Sequence, residues 1–284
     1  MIDLKPTVSK RRNGRSRNGR LLCAENRSQA PAFNALEIVS FTSFQDLAEQ
    51  TLRNSRREPS TALTLASEEA TNFRGLVLAK AEVERIRSEV FLLHQRHGSL
   101  SLGFASAQNG EGTSTILANL VLDLKKTNLR VLLVDFNIRH ANLPSLFSLP
   151  KTPGLVDLIN GRRSLNEVIR VIKANQIFLM PLGEPGQTQG FDLETSVRAI
   201  NNAGKNSRFF DLILFDLPPL NEVPQSLYAV RQIDGLIQIV QAERTRAEVL
   251  RSLKSKLEHV GARSFGVIMN QRRFYIPQFI YEKL

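Results

Sequence analysis

Six short apolar runs recur between residues 100 and 269, at Leu100–Ala105, Arg130–Val134, Gln176–Met180, Asp211–Phe215, Leu236–Val240 and Ser264–Met269. Each is too short for a core helix and apolar enough to be buried on both faces, so each is expected to form a strand. Helical patterns stand between them, at Thr113–Lys126, Asp192–Ala203, Pro224–Arg231 and Arg246–His259. This alternation predicts an α/β fold of three layers, with a mostly parallel central sheet, helices on both faces and ligands at the carboxyl ends of the strands. Ahead of the first strand, Val83, Ile86, Val90 and Phe91 make one stripe of a helix expected over Val77–His94 and ending near Gly98.

Residues 1–75 lack the strand–helix rhythm and are interrupted by Pro6, Pro31 and Pro59. Within them Phe41, Phe44, Leu47 and Ala48 have helical spacing after Ser43, a residue suited to an N-cap, which predicts a short amphipathic helix. The expected organisation is therefore a basic, largely disordered region over 1–75, an α/β domain over 76–270 and a short tail over 271–284. At 42% hydrophobic residues in 284, the chain can bury one substantial core. No apolar stretch approaches the roughly twenty residues needed to cross a bilayer, and the N-terminal sequence lacks a secretory pattern, so the reading is cytoplasmic. A single cysteine, Cys23, excludes an internal disulfide, and the four histidines have no ligand spacing.

The net charge of +11 is uneven. Among the first twenty residues Lys5, Lys10, Arg11, Arg12, Arg15, Arg17 and Arg20 stand against Asp3 alone, seven against one, for a local charge of +6. Asn, Gly and Ser between these charges bury no apolar surface, so the segment reads as a disordered tail. Each Lys or Arg beside an anionic leaflet contributes about 1 kcal/mol, which fits a tail that holds the protein to a membrane; nucleic acid and plain solvation are the competing readings.

Candidate chemistry begins after the first expected strand, where Ser106-Ala107-Gln108-Asn109-Gly110-Glu111-Gly112-Thr113-Ser114-Thr115 leads directly into a helix. Glycines let backbone N–H groups converge on phosphate oxygens at a helix N-terminus. In a P-loop the last glycine is followed by a lysine that reaches the β- and γ-phosphates and then by a hydroxyl that ligates magnesium. Thr113 occupies the lysine position and Ser114 the hydroxyl position. Two more segments belong at the same edge: Asp135-Phe136-Asn137-Ile138-Arg139 after the second strand and Asp216-Leu217-Pro218-Pro219 after the fourth. A carboxylate at such a strand end can hold a magnesium-bound water or polarise an attacking hydroxyl. Either Asp alone could equally be an N-cap; with the glycine loop the two make a constellation.

From about Ala81 to Asn270 the chain resembles the bacterial tyrosine autokinases of capsular and exopolysaccharide biosynthesis, the cytoplasmic partners of membrane-embedded chain-length regulators. The family's loop usually reads Pro-Gly-Glu-Gly-Lys-Ser-Thr; this chain keeps Gly110, Glu111, Gly112, Ser114 and Thr115 and replaces Pro by Asn109 and Lys by Thr113. The family's Asp-x-Asp-x-Arg survives as Asp135 and Arg139 with Asn137 between, and its Asp-x-Pro-Pro is present at Asp216. The resemblance implies ATP and Mg2+ as cofactors, with Gly110 to Thr115 and Arg139 on the nucleotide, Ser114, Asp135 and Asp216 on the metal, and Asp135, Asn137 and Asp216 as the catalytic set. It implies a position at the inner face of the cell membrane, a chain-length regulator as partner and a homo-oligomer. The family's oligomerisation motif Glu-x-x-Arg-x-x-Arg is matched only in part by Glu82, Arg85 and Arg87, and its C-terminal tyrosine cluster only by Tyr275 and Tyr281 as candidate acceptors.

Without the lysine charge and the second acid, the expected function is a nucleotide-binding regulator of polysaccharide export with weak or lost kinase activity. Two alternatives stay open: an active autokinase with a substitute cation, and a partition or septum-positioning ATPase. The latter usually carries a further lysine near the start of the loop, where Ser106–Asn109 has none. The tail yields a test of its own. Deleting residues 1–20 should weaken binding to anionic vesicles in a sedimentation assay and shift the melting temperature by no more than about two degrees.

Overall fold

A computed structural model describes residues 73–75, 78–174, 176–184 and 191–271. The basic tail, the helix expected around Ser43, and Tyr275 and Tyr281 lie outside the described residues. Seven strands form one sheet: β1 (Leu100–Ser106), β2 (Val131–Asp135), β3 (Arg170–Lys173), β4 (Ile177–Met180), β5 (Leu212–Asp216), β6 (Gly235–Gln241) and β7 (Ser264–Asn270). Their order is β3-β4-β2-β5-β1-β6-β7, and every pairing is parallel except β3 with β4. The six expected strands are all present, each within a residue or two of its predicted ends. β3 was not expected. Its four residues carry Arg170 and Lys173 at the ends, which leaves only two buried apolar positions and no visible period.

The parallel strands are buried on both faces because alternate residues serve two cores. Leu102, Phe104, Leu133 and Leu214 point to one, where Leu117, Leu120 and Val121 of α2 (Thr113–Leu124) and Val90 of α1 (Lys80–His97) meet them. Ala105, Leu132, Val134, Ile213 and Phe215 point to the other, against Val197 and Ile200 of α6 (Leu193–Asn206) and Leu253 and Leu257 of α8 (Ala247–His259). This is the three-layer arrangement that continuous apolar runs demand, since a strand with two buried faces needs a helix layer on each.

Helix α1 begins later than its pattern implied, at Lys80, and Gly98 closes it with φ 74° and an N–H bond to His94 O at 2.8 Å. Val83 and Val90 are buried, but Phe91 is 36% exposed, so the inward stripe is narrower than the sequence pattern suggested. The helix is held to α2 partly by charge: Arg87 Nε lies 2.7 Å from the buried Asp123 Oδ2, and Lys126 pairs with the other oxygen.

Three short helices escaped the sequence pattern: α3 (Leu143–Leu146), α4 (Leu155–Ile159) and α5 (Leu165–Val168). Each has four or five residues, about one turn, too few to display a 3.6-residue period. Between β5 and β6 lie α7 (Gln225–Ala229) and a 3-10 turn at Val230–Gln232. Of these, α4 is seated most closely on the sheet. Leu155 N–H donates to Pro181 O at 2.8 Å and Val156 N–H to Leu182 O at 2.9 Å, just past β4, while Asp157 Oδ2 accepts from Gly154 N–H at 2.9 Å. The approach is possible only because residue 154 has no side chain: a Cβ there would lie 2.2 Å from Gly183 N and 2.6 Å from Leu182 C.

That close approach separates two kinds of glycine. Gly154→Ala would drive backbone against backbone and should cost about 3 kcal/mol in urea unfolding. Gly98→Ala, in open space but at positive φ, should cost about 1 kcal/mol. Equal losses for the two variants would contradict the packing described.

Candidate phosphate-binding site

The site forms where β1 gives way to α2. Gly110 and Gly112 in the connecting turn adopt left-handed φ values of 82° and 92°, a conformation that costs a side-chain-bearing residue energy. Gly112 is also the N-cap of α2, so the unpaired N–H groups of the first helical turn open at the carboxyl edge of the sheet and can gather an anion. A Cβ on Gly112 would meet Asn270 Nδ2 at 2.3 Å, so a side chain there would also displace the Asn270 amide from the Glu111 carbonyl.

Long-range polar contacts hold this turn. Glu111 is a buried carboxylate whose Oε2 accepts Gln108 N–H at 3.0 Å, whose Oε1 accepts the Thr245 hydroxyl and whose carbonyl accepts Asn270 Nδ2 at 2.8 Å. Asn109 N–H donates to Glu222 Oε1 at 2.7 Å, and its side-chain amide lies 2.6 Å from His140 Nε2. The segment after β5 is stitched to the loop by backbone bonds, Leu220 N–H to Ser106 O at 2.9 Å and Asn221 N–H to Ala107 O at 3.3 Å. Thr245, Asn270, Glu222 and His140 were not singled out by the sequence. Their common signal is a polar residue at, or a few positions beyond, the carboxyl end of a parallel strand.

Beside the loop sit the two strand-end acids. β2 and β5 are in register so that Asp135 pairs directly with Asp216, and both side chains are fully buried. Ser114 Oγ, on the first turn of α2, donates to Asp216 Oδ2 at 2.5 Å. Asn137 N–H donates to Asp135 Oδ1 at 3.1 Å, and the Asn137 side chain turns back to accept His140 N–H at 3.1 Å. The structure thus brings Gly110, Glu111, Gly112, Thr113, Ser114, Asp135, Asn137 and Asp216 to one edge. Thr115 continues the helix, its carbonyl taken by Asn119 Nδ2 at 2.8 Å, and Arg139 is exposed in the turn beyond β2.

The electrostatics of this edge are unusual. Burial, and then the negative charge of Asp216, push the Asp135 carboxyl well above the ordinary carboxylate range. Burial raises Asp216 to about 7, against the opposing hydrogen bond from Ser114. Two carboxyls in register titrate as a pair, and burial and mutual repulsion both favour the protonated forms. Asp135 Oδ2, Asp216 Oδ1 and Thr113 Oγ1 are buried without a hydrogen-bond partner among the described residues. Two carboxyl oxygens left in that state, next to a serine hydroxyl, are a hard-oxygen donor set that suits magnesium once the carboxyls ionise. Among the described residues no group of three or more His, Cys, Asp or Glu could hold a metal ion by itself. Magnesium commonly takes one or two carboxylates and completes its shell with water and phosphate oxygens, so these residues fit a magnesium–nucleotide complex rather than a lone ion.

The chain is similar to several known proteins. Residues 100–259 match the family model described as cellulose biosynthesis protein BcsQ. The tyrosine-protein kinase CpsD of Streptococcus agalactiae is 27% identical over 176 residues, which cover 60% of this chain and 73% of CpsD. The succinoglycan biosynthesis transport protein ExoP of Rhizobium meliloti is 27% identical over 172 residues, 60% of this chain but 22% of the longer ExoP. Among solved structures, the kinase domain of VpsO superposes with a TM-score of 0.59 at 25% identity, covering 68% of this chain and 95% of that one. With more than half its length matched by that model, the chain belongs to the family described as cellulose biosynthesis protein BcsQ, and it is similar to the bacterial tyrosine autokinases of polysaccharide biosynthesis.

Proposed function

We propose that this protein is a nucleotide-binding regulator of exopolysaccharide or capsular polysaccharide biosynthesis and export whose tyrosine kinase activity is weak or lost. The observation that carries the reading is the set of partnerless buried oxygens on Asp135 and Asp216 beside the Ser114 hydroxyl, facing a glycine loop at a helix N-terminus. In this reading the loop N–H groups from Gly110 to Thr115 bind the phosphates, and Ser114, Asp135 and Asp216 hold magnesium. ATP with magnesium would supply the transferable phosphoryl group. Asp135 and Asp216 would orient that complex and take up an acceptor proton. Asn137, with its side-chain oxygen committed to His140 N–H, would position Asp135 through its own N–H rather than add a second charge.

Weak catalysis follows from what the loop lacks. At position 113 a threonine places an unpartnered hydroxyl where a lysine ammonium would meet the β- and γ-phosphates. Removing one positioned charge of this kind costs on the order of 10²- to 10³-fold in rate. The partner we infer is a membrane-embedded chain-length regulator, with the basic tail adding attraction to the anionic inner leaflet and Tyr275 and Tyr281 as candidate acceptors. Among the described residues no helix is long and apolar enough to cross a membrane. The partition or septum-positioning reading is not favoured, since the curated relatives reported above are a tyrosine kinase and a polysaccharide transport protein.

Calorimetric titration tests the reading. Thr113→Lys should tighten magnesium-ATP binding about tenfold or more, and phosphotyrosine formation should recover further only when Asn137→Asp is added. Strong magnesium-dependent kinase activity in the unmodified chain, indifferent to both changes, would contradict it. A second outcome concerns pH. Because the Asp216 carboxyl titrates higher in the folded chain than in the unfolded one, the folded state binds more protons between about pH 4 and 7, and its stability must fall as pH rises through that window. Melting curves without nucleotide should show this decline, and Asp216→Asn should flatten it.

A further inference from the structure

The phosphate loop contains one acid, Glu111, and no basic residue between 106 and 115. A nucleotide polyphosphate entering it would meet two buried carboxyls as well. One magnesium ion offsets only part of that charge, so a cation from elsewhere in the fold is needed if the anion is to bind well.

The turn after β6 provides one. A Cβ built on Gly110 would lie 4.0 Å from Arg244 Nη1, which places the guanidinium over the crest of the loop. The turn that presents it is firmly set. Glu243 takes φ 64°, Thr245 N–H donates to Gln241 O at 3.0 Å, and the Thr245 hydroxyl bonds to Glu111 inside the loop itself. The side chain is oriented as well: Arg244 Nη1 donates to Gln241 Oε1 at 3.2 Å, and Gln241 Nε2 donates to Gln271 Oε1 at 2.6 Å. Among the described residues its side-chain acceptor is a neutral amide, and Arg244 forms no salt bridge within 4.0 Å. An exposed guanidinium with, among the described residues, four of its five N–H donors uncommitted matches phosphate oxygens in geometry as well as charge. The other basic candidates are placed less well. Arg139 is exposed in the turn beyond β2, and Lys151 donates to Asn142 Oδ1 at 3.3 Å on the Asp135 side.

We propose that Arg244 is the phosphate-binding cation of this site, reaching across from the β6–α8 turn to take the role that the side chain at position 113 does not fill. The inference rests on the nucleotide-binding reading above and deepens it. Arg244 is a binding residue held in place by Gln241 and by the Thr245–Glu111 clamp.

The test is a double-mutant cycle read by calorimetric titration with preformed magnesium-ATP, with circular dichroism and melting curves confirming that each variant is folded. Arg244→Gln should weaken binding about tenfold or more, and Arg244→Lys should retain part of the affinity. In a Thr113→Lys background the loss from Arg244→Gln should shrink markedly, because the restored lysine supplies the same charge. Wild-type binding that Arg244→Gln leaves intact would overturn the proposal, as would an equal loss in both backgrounds. Binding only after Thr113→Lys would overturn Arg244 as a substitute cation while leaving the loop as a nucleotide site. Failure of every variant to bind would bring down both readings together.

Discussion

The direct pairing of Asp135 with Asp216 is the constraint on which the rest of this site depends. It follows from strand register: β2 and β5 lie side by side and both end on an aspartate, so two carboxyls reach the sheet edge at the same height. Each is fully buried, which raises its affinity for protons, and among the described residues one oxygen of each has no donor. A fold does not keep two such groups adjacent for stability, because isosteric amides or apolar residues would remove both the desolvation cost and the repulsion. In the proposed reading, a cation that arrives with a ligand accounts for their presence. Ser114, bonded to Asp216 from the first turn of α2, joins the pair to the phosphate loop and makes the two a single unit.

Around that unit the loop is stabilised by contacts that do not need a lysine. Glu111 acts as an internal strut, accepting Gln108 N–H from within the loop and the Thr245 hydroxyl from the β6–α8 turn, while Asn270 at the end of β7 binds its carbonyl. Asn109 is tied to Glu222 and His140 on the other side. The turn therefore keeps the left-handed glycines and the open helix N-terminus of a phosphate cradle although Thr113 has removed the mobile charge. Shape and charge have separated in this protein: the cradle persists without the lysine, and in the proposed reading the positive charge comes from elsewhere in the molecule.

The parts of this arrangement that were legible in the sequence are those governed by local pattern. Runs such as Leu212–Asp216 are apolar at every position up to the acid, and that alone says strand, doubly buried, with the acid at the edge. The glycine spacing before Thr113 likewise announces a turn into a helix. What stayed hidden depends on contacts distant in sequence or on elements too short to show a period. Arg170–Lys173 pairs antiparallel with β4 although only two of its residues face the core, and Leu155–Ile159 is a single turn held by Pro181 and Leu182 carbonyls. The clamps on Glu111 come from residues 134 and 159 positions away, which no motif spacing could reveal. Phe91 misled the helix stripe because its spacing fits the apolar face while its side chain is partly exposed.

The most direct measurement of the central claim is a count of protons. Magnesium-ATP titrated into the protein at pH 7, in two buffers that differ in ionisation enthalpy, reports how many protons the chain releases when the ligand binds. If the carboxyl pair is protonated when empty and becomes the magnesium site when filled, roughly one proton or more should leave per nucleotide bound, and Asp216→Asn should reduce that number. Binding with the same heat in both buffers, and hence no proton released, would show that Asp135 and Asp216 do not form the cation site.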